Sequence, residues 1–159
     1  MSTERSFFRD LGHTTRGNVN KRKALALSYA EHRTSNMPET RLDRFDEYRA
    51  RMNRRILDEG THVGVKRFFA LDSAAYREGA LDGRTKELLG LVASLVLRCN
   101  DCVDYHLGQC VAVGFTDDEL MDALNVGLVV GGSIVIPHLR HAVETIDLLR
   151  ARVGQLSAT

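Results

Sequence analysis

Apolar positions recur along most of this chain at the three- and four-residue intervals of an amphipathic helix, and no stretch alternates polar and β-branched residues as a half-buried strand does. The pattern predicts an all-α fold. "RLDRFDEYRARMNRRILDEG" (41–60) places Leu42, Phe45, Met52, Ile56 and Leu57 at mainly helical spacings and closes at Gly60. "HVGVKRFFALDSAAYREGA" (62–80) predicts a second helix, with Val65, Phe68, Phe69, Ala74 and Ala75 on its apolar side and a weak point at Leu71, Asp72 and Ser73. "DGRTKELLGLVASLVL" (82–97) is helical by its length and its Leu/Ala content. It is apolar on nearly every side after Glu87, which predicts the central core helix. In "GFTDDELMDALNVGLVVGG" (114–132), Thr116 followed by Glu119 is a capping-box pattern that sets a helix start, and Gly131 and Gly132 end the helix. The last helix begins near Ser133, a candidate cap, with Pro137 tolerable only in its first turn.

Ahead of these segments, "NVNKRKALALSYAEHR" (18–33) can form one helix and "TSNMPET" (34–40) reads as a loop. The expected organisation is an N-terminal arm over 1–40, one helical domain over 41–152, and a tail over 153–159. A chain of 159 residues is long enough for one domain with a real core and too short for two comfortable ones.

Composition changes this picture little. The formal charge is +1, with 27% charged and 43% apolar residues, as in an ordinary globular protein. Residues 1–55 hold 13 Lys/Arg against 7 Asp/Glu, and the remainder holds 9 against 14. The basic residues at the front are interspersed with acidic ones, which reads as a solvated helix face rather than a nucleic-acid surface. No run resembles a signal peptide or reaches the ~18 apolar residues of a membrane span, so a cytoplasmic protein is expected. In that reducing compartment three cysteines are not a disulfide framework, and a C-x-x-C reads as redox-active or metal-binding.

That motif lies in "LRCNDCVDYHLGQC" (97–110). Arg98, Asn100 and Asp101 interrupt the apolar run, and Asn and Asp are good N-caps, so a new helix is expected to begin between Cys99 and Cys102. Thiols in the first turn of a helix feel the positive end of its dipole, which favours the nucleophilic thiolate. Cys102 and His106 are i, i+4 and can touch; Cys99 lies about 10 Å from His106 along the axis at ~1.5 Å per residue. A buried cysteine is also often only a small hydrophobe, so redox pair, metal ligands and plain core all remain open on spacing alone. A structural zinc needs four ligands, and this run offers three unless His138 and His141 complete the set. Glu87 has two readings as well. In an antiparallel hairpin it comes within reach of His106 and orients it as a base for Cys102. Alternatively it stabilises its own helix N-terminus and pairs with Arg84. Cys110, on another helical face, reads as structural.

Glu87, Cys99, Cys102 and His106, followed by "VAVGFTDDEL" and a helix ended by Gly-Gly, together resemble the alkylhydroperoxidase D-like group of the carboxymuconolactone decarboxylase family. The resemblance covers about Asp58 to Leu149. It implies a hydroperoxide reductase that needs no cofactor or metal. Cys102 attacks the peroxide, Cys99 condenses with the resulting sulfenic acid, and Glu87 and His106 relay protons. It further implies a dithiol reductant protein, lipoyl or thioredoxin-like, attacking at a more exposed Cys99, and a homo-oligomer built as a trimer or hexamer. Asp101 departs from the group's founding members, which carry histidine there; a carboxylate beside a thiol disfavours the thiolate. The decarboxylase branch of the family is a lyase that does not need the cysteine pair, and a metal-binding or purely structural oligomer is the non-enzymatic alternative. "LNVGLVVGGSIVIP" (124–137) is more apolar than a small all-α surface should be, which predicts a neighbouring subunit against it.

Overall fold

A computed structural model describes residues 39–157; residues 1–38 of the arm expected over 1–40, and residues 158–159, lie outside them. The described chain is helical, with no strand: α1 (Arg41–Asn53), a π-helical turn (Arg54–Asp58), α2 (Val63–Ala75), α3 (Gly83–Val96), α4 (Asn100–Ala112), α5 (Asp117–Gly131), a 3-10 turn (Ser133–Val135) and α6 (Ile136–Ser157). The all-α expectation holds, and α6 carries helix into the segment expected as a tail.

Helix starts follow local chemistry. Thr40 accepts from the Asp43 N–H while the Asp43 carboxylate accepts from the Thr40 N–H, a capping box opening α1. Thr116 and Glu119 form the expected second box at α5. Asp82 opens α3 by accepting from the Thr85 N–H at 2.6 Å. At the start of α6 the expected cap is absent: Ser133 opens the 3-10 turn without a side-chain capping bond, and Pro137 sits in the first turn of the helix. The α1 helix does not run evenly to Gly60; it widens into the π turn, where a side chain at Gly60 would strike the Ile56 carbonyl.

The core lies between α3, α4, α5 and α6. Leu91 and Leu95 of α3 meet Val103, Leu107 and Cys110 of α4, Leu120 and Leu124 of α5, and Ala142, Ile146 and Leu149 of α6. Each fully buried leucine stabilises the domain by roughly 1.5–3 kcal/mol relative to exposure. Helix α4 buries the most residues, eight against five for α3, while α3 packs between α4 and α5 as expected of a central helix. One face of α3 is open: Leu89 and Leu97 are exposed and border an apolar groove shared with Val126 and Val130 of α5. Helix α4 reads as less apolar because it buries polar side chains with their partners. Asp104 accepts from Arg41 (2.6 Å) and Thr145 (2.6 Å) and pairs with His141 (2.9 Å).

Helix α2 departs further from expectation. It is continuous through Leu71, Asp72 and Ser73, yet it buries none of its residues, and Phe68 and Leu71 are each more than two-thirds exposed. Its apolar side is present in the sequence and unpartnered within the described residues.

Candidate functional site: a cysteine pair beside a His–Glu couple

The site is made by the sharp turn between α3 and α4. Leu97 caps α3, and Arg98 then takes φ 60°, the left-handed region that an L-residue rarely adopts. The Cys99 N–H returns to the Ser94 carbonyl (3.0 Å) and the Arg98 N–H to Leu95 (3.0 Å), a Schellman closure with arginine where glycine is usual. The same closure recurs after α4 with the expected residue, Gly114 at φ 89°.

This turn delivers Cys99 as the N-cap of α4. Its sulfur accepts from the Cys102 N–H at 3.3 Å, so the cap is the cysteine itself rather than Asn100 or Asp101. Cys99 and Cys102 are joined as a disulfide. Cys102 is exposed and Cys99 only half-exposed, which reverses the expected order of accessibility. The reason is geometric: the N-cap sulfur folds back over the first turn, whereas the third helical residue points outward.

Antiparallel packing of α3 on α4 brings Glu87 to His106. The carboxylate oxygen Oε2 lies 2.8 Å from Nδ1, with both groups buried, so the contact is direct rather than through water. Arg84, the alternative partner, instead pairs with Glu119 at 2.9 Å and stacks on Phe115 at 4.0 Å. Two unexpected residues complete the imidazole's surroundings. The Tyr76 hydroxyl stands 3.4 Å from Nε2, and a Cβ at Gly90 would lie 2.5 Å from Cε1 of the ring. Burial, and then the charges of Glu87 and Asp72, push the Tyr76 phenol above its ordinary range, so it remains a proton donor. A carboxylate can only accept, so in the neutral ring Nδ1 carries the hydrogen toward Glu87 and Nε2 accepts from Tyr76. Tyr76 is 30 residues from His106 and no local spacing announces it. Gly90 left a fainter signal, a glycine one turn beyond Glu87 on the same helix face.

Cys102, His106 and Tyr76 line a cavity of about 330 Å³ under α1, whose other walls include Phe45, Tyr48, Arg49 and Met52. Asp101 also reaches this cavity. His138 and His141 do not. His138 bonds Asn100 at 2.7 Å and His141 bonds Asp104, so both tie α6 to α4. Among the described residues no group of three or more His, Cys, Asp or Glu is placed to hold a metal ion. Cys110 is fully buried, and burial pushes its thiol up to about 12, which keeps it protonated and inert.

The fold and site together define an all-helical domain that carries a C-x-x-C disulfide at a helix N-terminus beside a buried imidazole–carboxylate couple. The family model of the carboxymuconolactone decarboxylase family matches residues 65–145, and the chain belongs to that family. A crystal structure of a carboxymuconolactone decarboxylase family protein from Thermotoga maritima superposes with TM-score 0.66 at 53% identity, covering 70% of this chain and 93% of that one. The apo form of a Legionella pneumophila family member shares the fold, with TM-score 0.57 at 24% identity over 68% of this chain and 93% of that one. Among curated proteins, an uncharacterised protein of the cox locus of Paracoccus denitrificans is 29% identical over 80 residues, 50% of this chain and 72% of its own. An uncharacterised protein of Cupriavidus necator is 25% identical over 95 residues, 60% of this chain and 84% of its own. No helix among the described residues is long and apolar enough to cross a membrane.

Proposed function

We propose that this protein is a thiol-dependent hydroperoxide reductase of the alkylhydroperoxidase D-like kind. One observation carries the reading: the sulfur that opens onto the cavity, Cys102, shares that cavity with an imidazole held by a buried carboxylate, and its disulfide partner sits one helical turn away.

In the dithiol form, the Cys102 thiol gives up its proton toward Nε2 of His106, while the Glu87 carboxylate stabilises the resulting imidazolium through Nδ1–H. The Cys102 thiolate attacks the distal oxygen of a hydroperoxide. The S–O bond forms as the O–O bond breaks, and the alkoxide leaves with the proton held by His106 as an alcohol. The Cys99 thiol then attacks the Cys102 sulfenic acid, and water departs as the disulfide closes. A dithiol reductant protein, lipoyl or thioredoxin-like, restores the pair by attacking the exposed Cys102 sulfur, and Cys99 leaves as a thiolate. A sulfur at the N-cap is suited to that departure, because the Cys102 N–H and the helix dipole favour its negative charge. The suggested connection of the Thermotoga relative to an antioxidative response supports the same reading. The exposed apolar side of α2 and the groove between α3 and α5 support a homo-oligomer, a trimer or hexamer, whose mass light scattering measures.

The test is a thiol titration of the reduced protein with and without one equivalent of hydroperoxide. Two thiols are lost in the wild type, none in Cys102→Ser, and a sulfenic acid accumulates in Cys99→Ser. Survival of both thiols in folded wild-type protein overturns the proposal.

A further inference from the structure

The cavity wall carries a cation that the thiol chemistry does not use. Arg49 lies half-buried on the inner side of α1, its guanidinium carbon 4.3 Å from the centre of the Tyr105 ring, which in turn makes a T-shaped contact with His106. Arg49 has neither a hydrogen bond nor an ion pair with any described residue, although α1 offers acidic neighbours and both Arg41 and the buried Arg152 are paired. Arginine stacked on an aromatic face is fixed in orientation while its N–H edge stays available, the arrangement that binds a planar anion in bidentate fashion. Beside it the lining is apolar, from Phe45, Tyr48 and Met52, and the reactive sulfur shares the same space.

We propose that Arg49 anchors a carboxylate on the molecule that enters this cavity, so that the preferred occupant is an amphipathic monocarboxylic acid with its apolar chain against Phe45, Tyr48 and Met52. The inference deepens the reductase reading, on which it rests for the statement that the occupant's reacting group is a hydroperoxide. Asp72 and Asp101 also face the cavity, and both are exposed. Water and salt screen an exposed carboxylate more than they screen a half-buried guanidinium, and Asp101 is further offset by the N-terminus of α4. Arg49 therefore sets the sign of the ligand. The volume of about 330 Å³ admits a chain of medium length.

Calorimetric titration of the full disulfide-form chain with octanoate, octanol and octylammonium tests the assignment. Octanoate is expected to bind about tenfold or more tightly than octanol, the range of a charge-assisted hydrogen bond, and octylammonium most weakly. Arg49→Met should bring octanoate to within about twofold of octanol, and Arg49→Lys should keep part of the preference because it retains the charge without the fork. Equal binding of octanoate and octanol, tighter binding of octylammonium, no binding of any of the three, or unchanged octanoate binding in Arg49→Met overturns the proposal. Should Arg49→Met fail to fold, Arg49→Lys and the wild-type ligand series decide. None of the three ligands is a peroxide and no reductant is present, so this result stands apart from the thiol titration that tests the reductase reading.

Discussion

Glu87 and His106, 19 residues apart in the chain, meet at 2.8 Å between the buried faces of α3 and α4. The pairing is a product of the tight turn at Arg98, because in one continuous helix the two would stand nearly 30 Å apart at about 1.5 Å per residue. If His106 is the proton acceptor for Cys102, His106→Gln should slow peroxide-driven thiol oxidation by roughly 10²–10⁴-fold. Glu87→Gln keeps an acceptor for Nδ1–H but removes the charge, and should cost less. The double variant should be no slower than His106→Gln alone, since the two act as a unit. Stopped-flow thiol oxidation measures all three, and additive losses would argue for separate roles.

Tyr76 holds the other nitrogen. Its hydroxyl is 3.4 Å from Nε2, the position from which His106 would accept the Cys102 proton. Tyr76→Phe removes one neutral hydrogen bond, about 0.5–1.5 kcal/mol or some 2–10-fold in rate. It should also move the pH–rate profile, because the imidazole loses a donor to its neutral form. A rate change with an unmoved profile would reduce Tyr76 to packing.

Gly90 makes room for the ring. An added methyl would sit 2.5 Å from Cε1 and 2.8 Å from both ring nitrogens, so Gly90→Ala must displace the imidazole from Glu87 or displace the helix. The expected outcome is a folded protein about 1–3 kcal/mol less stable by urea denaturation, with thiol oxidation slowed as strongly as in Glu87→Gln. Wild-type rates in Gly90→Ala would show that the ring's position is not critical.

Much of the fold and part of the site were legible in the amino-acid pattern. Helical periodicity marks the all-α class and most helix bounds, and the Thr116–Glu119 capping box sets one of the starts. The cysteine pair, His106 and Glu87 could be brought together by hairpin geometry and by a family resemblance. What failed has a common cause, in that single-residue character was read without its partner. The deep burial of α4 was not read from its sequence, because the Asp104 side chain is satisfied by Arg41, more than 60 positions earlier. The open face of 82–97, with Leu89 and Leu97 exposed, was not read because hydrophobicity alone does not say whether the neighbour is this chain. The Cys99 cap was missed because Asn and Asp outrank cysteine as caps, and Tyr76 and Arg49 reach the site only through the tertiary placement of α1 and α2.

Arg98 pays for the turn that makes the site. A non-glycine residue at φ 60° costs on the order of 1 kcal/mol, and the Schellman bonds around it overcome that cost. Arg98→Gly should therefore raise stability by about 1 kcal/mol without altering the distance between Glu87 and His106. Urea midpoints and the thiol-oxidation rate measure the two halves. A loss of stability would mean that the arginine side chain makes contacts worth more than the backbone cost.

The attachment of α1 over the cavity should be acid-sensitive. Arg152 of α6 holds Asp43 at 2.7 Å and Asp46 at 2.8 Å, and Arg41 reaches across to Asp104. Burial alone would raise the Asp43 carboxyl; hydrogen bonds from Thr40 and the charge of Arg152 outweigh it and hold the group below the ordinary carboxylate range. A carboxyl depressed in the folded state contributes stability that is complete above its unfolded value, near 3.9, and is lost as pH falls through the lower folded value. Wild-type protein should thus lose melting temperature below about pH 4. Asp43→Asn, which cannot titrate, should be less stable at pH 7 and lose less on acidification, so that the two curves converge. Curves that stay parallel down to about pH 2 would place the acid sensitivity elsewhere. Because Arg49, Phe45 and Met52 ride on the same helix, octanoate binding should weaken over the same pH interval in the wild type, beyond what protonation of the ligand itself explains.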